Sequence, residues 1–354
     1  MDTPLRVWNP ANPYLSEHRE LLGEPPAVDI EVYEDRSKSI LSHNESPDLG
    51  FRWSVNPYRG CFHACGYCYA RPTHEYFGLG AGTDFERKII VKPDAPALLE
   101  AAFRKPSWRG DLIVFSGVTD CYQPLEAVWK LTRGCLEVCL TFRNPVGIVT
   151  KSLLIRRDVE LLAALAKEAR ASVSLSIPFL DEQTARAIEP GAPTIRRRFE
   201  AMAILAKAGV PVGIGVAPII PGLNDQDIPG LLKEAKRCGA QFAFRTLLRL
   251  SGSVKDVFFH RLQERLPLRA ARVEHRIREV RSGQLSDSRF GHRHHGEGVY
   301  WEAVDQIWDL WTRRLGFHDE ARDADEPPAA PTFTRPALDG NQLEFSWVQP
   351  SEKI

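Results

Sequence analysis

NPYRGCFHACGYCYARPTHEY, residues 56–76, sets Cys61, Cys65 and Cys68 within eight positions of one another, among aromatic and basic residues. Clustered thiols serve disulfides, structural zinc or an iron–sulfur cluster, and the rest of the chain weighs these uses. The N-terminus, MDTPLRVWNPANPY, carries no apolar run of signal-peptide length, and no stretch approaches the roughly 20 apolar positions of a membrane span. A cytoplasmic protein with no membrane association is expected, in a compartment that keeps thiols reduced. Seven cysteines are an odd number, thinly spread over 354 residues, which argues against a disulfide scaffold. Cys-x2-Cys is half of a zinc ribbon, and His63 or His74 extends the donor set, but no second pair follows; Cys121, Cys135, Cys139 and Cys238 are scattered. Cys-x3-Cys-x2-Cys on one loop can instead hold three corners of a cubane and leave the fourth iron without a protein thiolate.

The composition, 43% hydrophobic and 26% charged, is that of a globular chain long enough for one large domain with extensions. Strand candidates are FRWSVNPY (51–58), LIVFSGV (112–118), PVGIVTKS (145–152), SVSLSIP (172–178), VPVGIGVAPII (210–220) and QFAFRTLLRL (241–250). Between them lie helical stretches: APALLEAAFRK, KLTRGCLEVCLTF, DVELLAALAKEA, IRRRFEAMAILAKAG and IPGLLKEAKRCG. The last two end in the glycine expected after a helix. The fold class is therefore α/β, a partial (β/α)6 barrel with N- and C-terminal extensions. Residues 1–50 form an acidic, Pro-rich extension, with 30–51 leading an extended strand into the barrel at 51–250. A helical basic region with a His/Gly-rich loop occupies 251–318, and 319–354 read as an acidic, Pro-rich flexible tail.

Cys61-Phe-His-Ala-Cys65-Gly-Tyr67-Cys68 resembles the cluster loop of radical S-adenosylmethionine (SAM) enzymes, with Tyr67 in the usual aromatic place before the last cysteine. The resemblance implies a [4Fe–4S] cluster on Cys61, Cys65 and Cys68, SAM chelated by the open iron, and an electron donor such as flavodoxin or ferredoxin. It implies reductive cleavage of SAM to methionine and a 5′-deoxyadenosyl radical that abstracts hydrogen from the substrate. Within the superfamily, NPYRGC, YCYARPTHEY, VTDCYQPLE, IVTKS and VAPIIPGLND resemble spore photoproduct lyase and its uncharacterised bacterial relatives. DSRFGHRHHGEGVYWEAV, 287–304, resembles a C-terminal signature of those relatives rather than of the lyase.

Carried over position by position, the end of strand two, Ser116-Gly117-Val118-Thr119-Asp120, resembles the site of the SAM amino group. Lys151, ending strand three, borders the cofactor or the substrate. Ser174 and Ser176 share one face of strand four and resemble ribose contacts. Arg198 offers a guanidinium fork to the SAM carboxylate, and residues 217–222 resemble the apolar wall around adenine. The lyase subgroup reverses a thymine dimer in DNA and returns hydrogen from a cysteine at the end of strand two. Gly117 stands at that position here, and Cys121 follows Asp120. Cys121 is then either a displaced hydrogen donor or a small buried residue.

The net charge is zero, yet residues 51–318 hold 39 basic against 28 acidic residues, between acidic ends. The arginines at 245, 249, 261, 265, 269, 272, 276, 278 and 281 suit a nucleic-acid partner. Interleaved Glu264, Glu274 and Glu279 equally suit a solvated helix face. The turn Gly291-His292-Arg293-His294-His295-Gly296-Glu297-Gly298 reads as a loop that closes over the barrel mouth or touches a phosphate, with a second metal as the lesser reading. Trp301, Trp308 and Trp311 share one helix face and read as packing, as do Cys135 and Cys139. The leading function is a radical SAM enzyme acting on a nucleic-acid lesion, a peptide or a small metabolite. The rival is a non-catalytic iron–sulfur or zinc protein that binds nucleic acid or senses redox state.

Overall fold

The computed structural model describes residues 30–317 and 330–337. Its strands are β1 (Glu31–Glu34), β2 (Leu41–His43), β3 (Trp53–Val55), β4 (Tyr58–Arg59), β5 (Lys88–Val91), β6 (Ile113–Phe115), β7 (Val146–Thr150), β8 (Ala171–Ser176), β9 (Val212–Ile219) and β10 (Phe242–Leu247). One sheet runs in the order β10-β9-β8-β7-β6-β3-β2. From β3 to β10 its neighbours are parallel, and only β2 is antiparallel, at the edge. The six candidate segments each supply one of the parallel strands, and β10 and β2 remain as edges, so the barrel is partial as expected.

The helices are α1 (Thr83–Arg87), α2 (Ala95–Arg104), α3 (Glu126–Trp129), α4 (Leu131–Thr141), α5 (Val159–Glu168), α6 (Glu182–Ile188), α7 (Ile195–Lys207), α8 (Ile228–Arg237), α9 (Val254–Arg265), α10 (Pro267–Glu279) and α11 (Gly298–Leu315). Their apolar positions recur at helical spacing: α8 buries Ile228, Leu231, Leu232 and Ala235, one stripe at i, i+3, i+4 and i+7. Covered by such stripes, the parallel strands are apolar nearly throughout, as in β6, whose Ile113, Val114 and Phe115 are all buried. Cys135 and Cys139 of α4 are fully buried in this core. On α11, Trp301 and Trp308 are buried and Arg245 lies over both rings, so this face packs rather than waits for bases.

Parts of both extensions join the body. β1 pairs parallel with β5, and β4 antiparallel with β5, giving a small second sheet that the sequence reading did not contain. Positions 1–29, 318–329 and 338–354 lie outside the described residues, and with them most of the two acidic ends. Where the tail is described, it is docked rather than flexible. Phe333 stacks on Phe142 and meets Phe103 edge-on, with centroids 6.2 and 5.9 Å apart. Arg335 donates to the carbonyls of Phe103, Lys105 and Trp108 at 3.1, 2.9 and 2.5 Å. An aromatic ring and a guanidinium fork thus hold a segment whose composition suggested disorder.

The open side of the sheet is spanned by the His/Gly-rich loop. Leu247 N–H, ending β10, donates to His294 O at 3.0 Å. On the other edge, Asp48 in the β2–β3 turn accepts from Gly291 N–H at 2.7 Å and pairs with Arg293 at 2.5 Å, while Arg293 also donates to Ser46. Replacing Phe333 with Ala should lower stability by about 2 kcal/mol, seen as a lower denaturant midpoint at unchanged slope.

Candidate active site

The segment that carries the three cysteines, 60–70, is neither helix nor strand but a run of turns, so its backbone groups need partners outside regular structure. Cys61 N–H donates to Phe85 O at 2.9 Å, Gly66 N–H to Ile188 O at 2.8 Å, and Gly191 N–H to His63 O at 3.1 Å. Arg71, fully buried, donates to Cys65 O at 2.9 Å and Ala81 O at 2.8 Å and pairs with Glu86. Arg261, from α9, donates to Ala64 O and pairs with the same Glu86 oxygen at 2.9 Å. Ala64 itself sits at φ 56°, a left-handed conformation that costs free energy for a residue with a Cβ and is held by these contacts. Gly191 passes so close that a Cβ there would collide with the Phe62 carbonyl oxygen.

All three cysteines are free thiols, Cys61 and Cys65 buried and Cys68 partly so. Burial pushes the Cys61 thiol well above the ordinary range, with the charges of Asp120, Cys65 and Cys68 adding to it. Burial likewise takes Cys65 up to about 12 and raises Cys68. Unmetallated, these groups stay protonated; a bound metal deprotonates such thiols and makes them ligands. Among the described residues no three His, Cys, Asp or Glu side chains are placed to hold a single metal ion. A cubane, with each thiolate on its own corner, does not ask for that convergence.

The end of β6 is strapped to this loop. Thr119 Oγ1 donates to Gly60 O at 2.9 Å, and Asn56 Oδ1 accepts from Val118 N–H at 2.8 Å. Asp120 joins three elements through one carboxylate. Its Oδ1 accepts from the Thr150 hydroxyl (2.7 Å) and Tyr122 N–H (2.9 Å), and its Oδ2 from Lys151 N–H (2.8 Å), with His63 Nδ1 3.2 Å away. Burial would raise this carboxyl, but His63, Lys151 N–H and Thr150 outweigh it and hold it at about 2. An ammonium group approaching Asp120 would compete with His63. Ser116, at φ 78°, accepts from Cys121 N–H at 3.0 Å. A Cβ on Gly117 would stand 3.2 Å from both Cβ and Oγ of Ser54, so this corner has little room for a cysteine.

The remaining expected residues divide. Lys151, Ser176, Arg198 and Tyr67 meet in one buried network around Glu189, which the sequence reading had not singled out. Arg198 pairs with Glu189 at 2.6 Å and donates to Pro193 O (2.8 Å) and Ser176 O (3.1 Å). Its fork is therefore occupied by the protein rather than open to a carboxylate. Lys151 Nζ donates to Ser176 Oγ at 2.8 Å, lies 3.7 Å from Glu189 Oε1 and 5.6 Å over the Tyr67 ring. Tyr67 donates its hydroxyl to Glu189. Burial alone would lower the Lys151 ammonium; Glu189 and Cys65 raise it, so a cation is kept beside the cluster loop. Ser174 stays outside this network, paired in register with Gly213. Cys121 is fully buried in the main core, away from solvent, as a packing residue would be. Tyr69, also not anticipated, is 53% exposed and donates its hydroxyl to Gly117 O at 2.6 Å.

The family model of the radical SAM superfamily matches residues 55–235, from the loop through the fifth parallel strand to α8. The chain belongs to the radical SAM superfamily. An uncharacterised protein of Mycobacterium tuberculosis (strain H37Rv) is 37% identical over 234 residues, covering 65% of this chain and 68% of its own length. One from Methanocaldococcus jannaschii is 30% identical over 238 residues, covering 67% and 85%. Among solved structures, spore photoproduct lyase complexed with dinucleoside spore photoproduct aligns at TM-score 0.56 and 15% identity over 85% of this chain and 86% of that one. A mutant of that lyase with bound AdoMet and the same dinucleoside aligns at 0.52 and 16%, with the same coverage. These likenesses establish a shared fold. Among the described residues no helix is long and apolar enough to cross a membrane.

Glu189 sits between two buried cations, so Glu189→Ala should lower stability by about 3 kcal/mol. Burial would raise its carboxyl, but Arg198, Lys151 and the Tyr67 hydroxyl hold it below the ordinary glutamate value. The stabilisation is thus complete above that value and fades as pH falls through the lowered one. Denaturant midpoints of wild type and variant should converge only in acid. Gly191→Ala should displace Phe62 and His63, measured as lost iron after anaerobic reconstitution with unchanged far-ultraviolet circular dichroism.

Proposed function

We propose that this chain cleaves SAM reductively and abstracts hydrogen from a nucleic-acid component bound at the carboxyl ends of the parallel strands. The observation that carries this reading is the inward-facing set of Cys61, Cys65 and Cys68, pinned by Arg71 and Arg261 beside Lys151, Asp120 and the ends of β6 and β7. The donor set fits a [4Fe–4S] cluster: three free thiols on one loop, with no fourth cysteine in the adjacent sequence. When bound, the cluster and SAM supply one-electron cleavage of the sulfonium and a carbon radical that takes hydrogen.

The protein's own groups place and shield that chemistry. Lys151 holds positive charge next to Cys65 and favours its thiolate. Glu189 and Arg198 fix Lys151 and Tyr67, and Asp120 fixes Lys151 N–H, Thr150 and His63, so the strand ends and the loop move as one body. Ser116, Gly117 and Thr119 form the near wall. Ser174 and Ser176 continue it along β8, where they are suited to ribose. A flavodoxin or ferredoxin is the proposed electron source.

The nucleic-acid reading is supported by the 39 basic against 28 acidic residues between 51 and 318, and by the dinucleoside bound in the lyase of similar fold. The reaction we propose differs from dimer reversal with a cysteine hydrogen donor. Gly117 has no thiol and stands tight against Ser54, and Cys121 is sealed in the core. Cys121→Ala should therefore give the same products as wild type once a substrate is in hand; trapped substrate radicals in this variant would restore it as a hydrogen donor.

Anaerobically reconstituted protein with dithionite and SAM should form 5′-deoxyadenosine. Ala at any one of Cys61, Cys65 and Cys68 should remove the cluster absorption and this product together. Stoichiometric zinc without iron after anaerobic isolation, or a cluster that leaves SAM intact, would favour the non-catalytic rival.

A further inference from the structure

Most of the arginine run that suggested a polyanion partner is already engaged within the chain, part of it in exposed ion pairs. Arg245 pairs with Asp305, Arg261 with Glu86, Arg265 with Glu264, Arg276 with Glu279 and Arg278 with Glu274. Arg269 donates to Thr184, Arg272 to Gly222 O, and Arg281 to the carbonyls of His292, His295, Leu248 and Arg293. Of the nine arginines between 245 and 281, only Arg249 has no hydrogen-bond or ion-pair partner among the described residues. Its Nε is buried and unpaired.

We infer that Arg249, two residues beyond β10, seats one phosphate of the substrate, with Tyr69, Arg293 and His294 around it. The inference rests on the reading of the chain as a radical SAM enzyme acting on a nucleic-acid component. The local charges show why an anion belongs there. Burial disfavours the charged form of Arg249, and Arg293 repels it further. The nearby carboxylate, Asp48, compensates only in part, because one oxygen is paired with Arg293 and the other accepts from Gly291 N–H. His294 Nε2 is buried without a partner, and burial lowers its pKa towards the neutral ring, which leaves it one N–H to offer. A half-buried guanidinium within charge range of a second cation, with no hydrogen-bond acceptor among the described residues, is costly in the free protein. A phosphate oxyanion matches its donor fork and removes that cost.

Position links this corner to the chemistry. Tyr69 follows Cys68 directly, lies within charge range of Arg249, and donates its hydroxyl to Gly117 O at the end of β6. Tyr69 is 53% exposed and Phe290, over which Arg293 lies at 4.8 Å, is 59% exposed. Exposed rings around an unpaired cation are the make-up of a single-strand nucleic-acid site, where bases stack and one charge takes the backbone.

The test uses the full-length reconstituted protein and a short single-stranded oligonucleotide, beside the same sequence with a neutral methylphosphonate backbone. Arg249→Gln should weaken oligonucleotide binding about tenfold or more and reduce the log–log salt slope by about 0.7. The methylphosphonate should bind wild type and variant alike. Arg249→Lys should recover part of the affinity, because it keeps the charge but loses the fork. Since Arg249 has no partner to lose, the thermal midpoint of Arg249→Gln should equal or exceed that of wild type. Equal oligonucleotide affinity in wild type and Arg249→Gln would overturn the inference. So would a parallel fall in SAM affinity, which would assign the arginine to the SAM carboxylate. Absence of 5′-deoxyadenosine, with the Arg249-dependent binding intact, would instead count against the enzymatic reading alone.

Discussion

The loop that carries the three thiols has no regular backbone hydrogen bonding, and the fold around it answers that loss. Two buried guanidiniums take part in this, Arg71 from just after the loop at the Cys65 carbonyl and Arg261 from α9 at the Ala64 carbonyl. Both meet Glu86, so the pair carries one net positive charge against the carbonyls of the loop. Arginine suits the task because its donors fan out in a plane that reaches several carbonyls at once. Without these contacts the left-handed Ala64 and the close pass of Gly191 over Phe62 would have no reason to persist.

A second layer repeats the principle around Glu189 and Asp120. In both, a buried carboxylate is satisfied by groups from several elements, and both stay ionised in spite of burial. Buried networks of this kind hold their members in place, which is what a site for a reactive carbon radical needs if that radical is to meet only its substrate. Against this background Arg249 stands unpartnered among the described residues, within charge range of the exposed Tyr69.

The architecture was legible because its signals are local. Six apolar runs and the helices between them carry their own periodicity, and the cysteine spacing marks the loop. The small sheet was not, because β1 and β4 have meaning only through β5, and KIIV at 88–91 looks like any short apolar run. The site was half legible. Tyr67, Thr119, Asp120, Lys151, Ser176 and Arg198 do come together, yet the network around Glu189 was not readable from the chain: Glu189 meets Tyr67 across 122 positions. Charge counting misled in a particular way. Composition records nine arginines between 245 and 281, but not that eight of them spend their donors on carbonyls, carboxylates and a hydroxyl within the fold. Docking of 330–337 escaped for a similar reason, since Phe333 and Arg335 are scarce residues in a stretch that otherwise looks disordered.

The contact between Arg261 and Ala64 spans 197 positions. A ribosome adding about 5–20 residues per second needs roughly 10 to 40 s to pass from one to the other. During that interval the cysteines have been made while the guanidinium that holds their loop has not. The nascent loop is then a loose, thiol-rich peptide, open to whatever metal or oxidant the cell offers. Cluster delivery is therefore best timed after α9 has left the ribosome, and the late anchor makes the finished pocket, rather than the bare motif, the form that an assembly machinery would meet.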